Sequence, residues 1–426
     1  MDSTQSHIGQ DPQLLVDNYL IEVTQGLTRR WHKPIRHGDA PLIRRDRPWE
    51  QTLYFTYSNY CVIQDPQDAL IKCWYEDLGP DIGDGHPWRT RPLYAESRDG
   101  IAFHKPDLDI CPIDGKPTNI VMGYAGEGAK PGKLNPWADV GVHSNGIVVD
   151  PNSNRPEERF RTIFSRGAPG PDGGIRHTIQ CAHSPDGLHW QPYPDPPVLG
   201  NSGSHLSDVS CLHYDTDSRM FVQNTRHGLM YDVAVPPGTI KTSRFFAPHY
   251  PNRPDLMKKR RVFQTRSHDF LHWSDPLPIS VPDDEIDNLD EGHYGMQQFR
   301  VGHLHFATLG ILRYVDNEME VHLLYSRDGT RFHATDRASP FLAPRGPDHW
   351  DAHMVSITSQ PVVMGDEWWF YHGGTSSHHD WWMGPPEGIV EPEARDPQRY
   401  VKFGLGLAKL RREGIASLDG SRQRDG

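Results

Sequence analysis

The chain has 426 residues, enough for one large domain or two ordinary ones, with 36% hydrophobic and 10% aromatic residues to fill a core. Its formal net charge of −12 argues against a nucleic-acid partner, which needs a basic face. The one dense basic run, "KKRR" at 258–261, reads as a solvated loop.

In chain order, the N-terminus "MDSTQSHIGQDPQ" shows neither the basic region nor the apolar core of a signal peptide. No stretch reaches membrane-spanning length, so no membrane partner is expected. "LLVDNYLIEV" at 14–23 alternates well enough to be a strand. Beyond it, one heptapeptide recurs: "SRDGIAF" at 97, "SPDGLHW" at 184, "SHDFLHW" at 267, "SRDGTRF" at 326, and more weakly "RREGIAS" at 411. Each has a strand-like run before it and an aromatic or apolar residue after it. Upstream of each lies a further pair of strand-like runs joined by a turn, from "NYCVIQDPQDALIKCWYE" to "MVSITSQPVVMGDEWWFYHG". The 39 glycines and 38 prolines suit so many turns.

Five units of strand, turn, strand, connection, strand, Asp-Gly turn, strand predict an all-β chain: a five-bladed β-propeller of four-stranded antiparallel blades. The Ser-x-Asp-Gly turn would join the third and fourth strands, and the following Phe or Trp would pack between blades. Residues 1–45 form an N-terminal segment that closes the ring, 46–420 the propeller, and 421–426 a tail.

In such a fold, residues just before each inner strand and just after each second strand converge on one face. Before the inner strands stand Glu50, Asp139 and His143, His205 and Asp208, Asp290, Glu291 and His293, and Asp351 and His353 with Trp350 beside them. After the second strands come Arg166, Arg226 and His372. Any single Asp or Glu here could be only a turn former. Their recurrence predicts a pocket for a polyhydroxylated ligand, a cation, or a proton in transit. Trp381 and Trp382, in a long loop, offer flat faces for a sugar ring. The spacing of His303 and His305 suits structural use. The five cysteines (Cys61, Cys73, Cys111, Cys181, Cys211) form no CxxC pair, which fits reduced thiols in a cytoplasmic protein. No P-loop, dinucleotide-binding glycine pattern or GxSxG elbow occurs; no cofactor is expected, and the sequence assigns no metal-ligating residues.

The repeated turn resembles that of the five-bladed glycoside hydrolases of families 32, 43, 68 and 117. "LLVDNYLIE", "YAESRDGIAFHKPDL", "SDVSCLHYDTDSRMFVQNTRHG", "YGMQQFRVGHL" and "GLGLAKLRREGIASLDG" are most similar to an uncharacterised set related to family 32. The resemblance implies three carboxylates on the central face: a base or nucleophile, a proton donor, and an Asp that tunes the donor. No WMNDPNG and no RDP in a matching place is present, so the transfer rests on "SDVSCLHYD", which points to Asp208. Glu291 and Asp351 hold equivalent places, and His353 is a further candidate donor. The implied activity is hydrolysis of a small glycoside or oligosaccharide, and the long loops suggest a pocket-shaped site and exo attack. The rivals are a glycan-binding module without turnover, a phosphorylase or transglycosylase using Arg166 and Arg226, and a biosynthetic tailoring enzyme.

Overall fold

The structure of the protein is a computed structural model. It describes residues 12–56, 58–78, 90–123, 141–169, 175–195, 197–199, 206–227, 231–234, 256–379 and 402–420. Among these the chain is nearly all β, with one short 3₁₀ turn at Pro156–Glu158 and no α-helix.

Among the described residues, five ladders of three or more strands follow one another, besides two-stranded pairs such as Leu108–Ile113 with Lys116–Thr118. The first pairs Tyr60–Gln64 with Ile71–Leu78 and that strand with Thr90–Ser97; Thr52–Tyr54 extends the innermost position. The second runs Gly141–Val149, Phe160–Pro169, Ile175–Ser184, Gln191–Pro192. The third runs Leu206–Asp215, Met220–His227, Val262–Ser267, His272–Trp273. The fourth runs Glu291–Val301, Leu304–Arg313, Glu318–Ser326, His333–Ala334. The fifth runs Met354–Ser356, Glu367–Thr375, Phe403–Arg411, Ile35–Arg36. One parallel bridge, Met319 to Met354, joins the fourth and fifth ladders into a nine-stranded sheet.

The middle strands are buried on both faces, so they show no alternation of buried and exposed residues. In Ile71–Leu78, Ile71, Cys73 and Tyr75 pack into a cluster shared with the fifth ladder. Trp74 points the other way, into a cluster shared with Phe160 and Phe164 of the second. Further clusters lie between the second and third ladders around Phe221 and Trp273, the third and fourth around Val262 and Leu309, and the fourth and fifth around Phe306 and Phe370. Each ladder is thus packed on its two neighbours, and the first on the fifth. Fully burying one large apolar side chain contributes about 1.5–3 kcal/mol.

The four strong heptapeptide copies make one and the same turn. The Ser hydroxyl donates to the Asp two residues on and accepts the N–H three residues on, while that Asp accepts the next two backbone N–H groups. The fourth residue sits at φ between 72° and 81°: Gly100, Gly187, Phe270 and Gly329. Glycine takes this region at no steric cost, and Phe270 takes it in a turn whose ring is fully buried. The carbonyl of that residue accepts from the preceding ladder: Gly187 from Trp74 Nε1 at 2.6 Å, Phe270 from Cys181 Sγ at 3.7 Å, Gly329 from Gln264 Nε2 at 3.4 Å. Gly100 accepts from Tyr371 Oη of the fifth ladder at 2.8 Å.

Two expectations for the chain ends change. Residues 14–23 form no strand; Leu14 and Val16 plug the seam between the fourth and fifth ladders, held by Arg327 on Asp17 and by Arg29 on the Leu15 carbonyl. The strand after "RREG", Ala416–Gly420, pairs with Leu27–Trp31, because Ile35–Arg36 already occupies the outer edge of Phe403–Arg411. The run 258–261 also departs from a solvated loop. Leu256–Lys259 is a strand paired with Tyr231–Ala234, Lys259 is buried against Asp284, and the Arg260 side chain is buried on Tyr294 and Tyr314.

Candidate active site

The turns give a common origin for numbering the other end of the ladders. The residues opposite the turn Ser are Ile71, Phe160, Phe221 and His305, and Glu367 lies opposite Arg411 in the fifth ladder. Five residues further along each second strand stand Glu76, Ser165, Arg226, Gly310 and His372. Arg226 and His372 were expected in this ring; Glu76 was not. His143, on the inner strand, pairs with Ser165 at the same level.

Glu76 is completely buried. Its Oε2 accepts from Asn59 Nδ2 at 2.9 Å and lies 2.8 Å from His143 Nδ1. The inner strand of the first ladder breaks between Tyr54 and Tyr60 to place this asparagine. Asn59 N–H donates to the Thr56 carbonyl, and Glu76 N–H donates to the Asn59 carbonyl. Tyr54 lies face to face with the His143 ring, centroids 6.3 Å apart and planes 24° apart, and its edge meets Phe403. A carboxylate and an imidazole sharing one short hydrogen bond form a unit able to take up or hand on a proton.

A second group gathers on the fourth ladder. A bulge between His293 and Gly295 interrupts the alternation of the inner strand. Tyr294 therefore packs in the cluster shared by the first and fifth ladders, while Glu291 and His293 line a different cavity. The Arg226 and Arg260 guanidiniums lie 4.7 and 5.0 Å from the Tyr294 ring centre, and His379 Nε2 lies 2.9 Å from its hydroxyl. Two cations on one ring are held by its electron-rich faces.

The remaining expected residues fall elsewhere. Glu50 is buried beneath the first ladder, where Lys105, Tyr75 and the Asp46 and Arg47 N–H groups all bond its carboxylate. Glu291 and His293 line a cavity of about 260 Å³ beside His322 and Arg337. Burial alone would raise the Glu291 carboxyl, but the His293 hydrogen bond and the Arg313 and His293 charges outweigh it and hold it low. Asp351 is fully buried between Arg36 and Arg345, at 3.1 and 2.6 Å. Beside it Trp350 stacks on His372 at 5.7 Å, and burial with the Arg36 charge pushes the His372 imidazole down to about 3. His353 meets Glu318 and His378, not Asp351. The described carboxylates and imidazoles thus form several separate groups, because Glu50, Glu291 and Asp351 each already pair with a cation. His205, Trp381 and Trp382 lie outside the described residues, as do the side chains of Asp208 and Arg166.

No family model matches the chain, and no curated protein matches it. Solved structures do. A glycosyl hydrolase from Bacteroides ovatus matches at TM-score 0.51 and 14% identity, over 91% of this chain and 96% of its own. A glycoside hydrolase and a protein solved as an RGII complex each match at TM-score 0.52 and 9% identity, over 89% of this chain and 92% of theirs. At these identities the likeness shows a shared fold. Among the described residues no helix is long and apolar enough to cross a membrane.

Proposed function

We propose that this chain is a five-bladed β-propeller that acts on a small glycoside or oligosaccharide at the end of the ladders where Glu76 and His143 meet. The five ladders, the four turns each pinned to the preceding ladder, and the fold shared with glycoside hydrolases support this reading. Residues 46–420 supply most of the propeller, and the segment before them closes it through Ile35–Arg36. The observation that carries the site is the buried Glu76 carboxylate, bonded to Asn59 and His143 at the level shared with Arg226 and His372.

Glycoside cleavage needs one carboxyl to protonate the leaving oxygen and another to activate water or attack the sugar. In this reading Glu76 is the base or nucleophile, positioned by Asn59 and His143. Asp208, on the inner strand of the third ladder, is the acid. Glu291 and Asp351 stabilise the fold through their arginines. All five cysteines are free and buried, which supports a cytoplasmic home.

Glu76→Gln and Asp208→Asn, assayed on aryl-glycoside and oligosaccharide panels, each lower turnover ~10²–10⁴-fold with the fold intact, while Glu291→Gln keeps most of it. Near-native turnover in Glu76→Gln defeats the assignment. A wild type that binds sugars and cleaves none turns the protein into a binding module. Phosphorolysis is the second reading, favoured by Arg226 and Arg260 together on Tyr294. Release of a sugar 1-phosphate that depends on inorganic phosphate would establish it.

A further inference from the structure

Beside the Tyr294 group, three potential metal-binding side chains come together from three separate elements. Glu318 opens the third strand of the fourth ladder, His353 directly precedes the inner strand of the fifth, and His378 follows the second strand of the fifth. One ligand atom from each lies within 4.8 Å of the other two. We propose that Glu318, His353 and His378 bind a divalent transition ion of the zinc class.

Backbone and ring contacts orient the donors. His378 Nδ1 lies 3.1 Å from the Asp316 carbonyl. A bond to that acceptor places the proton on Nδ1 and the lone pair on Nε2, the outer-partner arrangement that fixes metal-binding imidazoles. The His353 and His378 ring centres are 3.9 Å apart and their planes 30° apart. His353 Nδ1 lies 2.8 Å from Glu318 Oε1. Zinc–ligand bonds of about 2.0–2.2 Å in a tetrahedral site separate donor atoms by about 3.3–3.5 Å. The His353–Glu318 pair need therefore open by only about 0.5–0.7 Å, with the cation replacing the proton between them. The backbone keeps His353 in place: its N–H donates to the Thr375 carbonyl, and its carbonyl accepts the Met319 N–H.

Charge separates this group from the other one of similar make-up. Asp287, Glu291 and His293 also lie within reach of one ion, but Arg337 pairs with Asp287 and Arg313 with Glu291. Their negative charge is already met. Among the described residues no lysine or arginine pairs with Glu318; its partner is His353. Two imidazoles and one carboxylate suit zinc, cobalt or nickel rather than the oxygen-seeking magnesium and calcium. His379, next to His378, reaches Tyr294, so the ion would fix the loop that also touches the candidate active site.

The test reads metal binding, not turnover, so it can fail independently of the proposed function. The full chain is stripped with a chelator and titrated with zinc by calorimetry, with metal content measured after gel filtration. The expected result is one zinc per chain, uncontested by excess magnesium or calcium. His353→Ala and His378→Ala should each weaken binding by more than the ~10–100-fold that loss of an outer partner costs. Glu318→Gln should weaken it too, and Asp287→Asn should not. Wild-type chain without zinc above background overturns the proposal. So does affinity unchanged in His378→Ala, which alters a loop and decides the matter if His353→Ala misfolds. Loss of binding in Asp287→Asn with all three ligand variants unaffected would also overturn it, by assigning the zinc to the other group.

Discussion

The two ends of the ladders differ in kind. At the turn end, four units repeat the same Ser and Asp hydrogen bonds, the same positive φ, and the same carbonyl seated on the preceding ladder. At the other end, the equivalent positions carry Glu76, Ser165, Arg226, Gly310 and His372, five different chemistries at one level. A repeat that needs mutual packing is held to one solution wherever neighbours touch. It is free to vary at the opposite end, the mouth of the proposed propeller. Regularity marks the scaffold, and departure from it marks the candidate chemistry.

The comparison breaks if mutations at the two ends behave alike. The largest effect is expected at the mouth, where Glu76→Gln should cost ~10²–10⁴ in turnover and change the melting temperature little. Activity assays and thermal melts on the same preparation check both halves. At the turn end, Gly187→Ala should do the reverse. Its Cβ would come within 2.4 Å of Trp74 at a φ of 81°. Overpacking and the left-handed backbone together should cost about 2–4 kcal/mol, read by denaturant unfolding, with turnover of the remaining folded protein preserved.

Acid should weaken both ends through buried histidines. Burial pushes His213 down to about 4 and His372 down to about 3. Each folded-state value lies below that of an exposed imidazole, near 6.5, so protons bind the unfolded chain preferentially. The contribution is complete above about pH 6.5 and is lost as pH falls toward 4. Unfolding measured between pH 7 and 4.5 should show a loss of roughly 1–3 kcal/mol per histidine, and His213→Gln should flatten part of that slope. The smallest effect is expected from Ser184→Ala. It removes a buried hydroxyl that accepts the Gly187 N–H and donates to Asp186, and should cost ~1 kcal/mol in chemical unfolding with no change at the mouth.

The turns were legible because their chemistry is local: Ser, Asp and Gly within four residues dictate a shape without help from elsewhere. The all-β character followed from the same spacing. The mouth was harder, because a residue's level depends on which partner its strand pairs with. Arg226 and His372 stood out as charged or titratable ends of apolar runs. Glu76 did not, since it sits inside "WYEDL", where Asp77 and the preceding aromatics blur the end of the strand. Counting five from the residue opposite the turn Ser would have found it. Glu291 lies apart from Glu76 for a physical reason: a bulge between His293 and Gly295 breaks the alternation of its strand, and a bulge has no sequence signature here. Lys259 and Arg260 misled because a basic run looks solvated until aromatic faces and Asp284 are seen to cover it.

The strand Ile35–Arg36 completes a ladder whose other members all lie beyond residue 353. During translation it leaves the ribosome long before Lys409 and Ala408, its hydrogen-bonding partners. The nascent protein must carry an unpaired edge while the four intervening ladders are made, and such distant pairings are slow to form. Once formed, the seam works as a clasp. Because the strands run antiparallel, pulling the two flanks of the chain apart peels open first the pair of Leu27–Trp31 with Ala416–Gly420 and then this seam, from Ile35 and Lys409 inward.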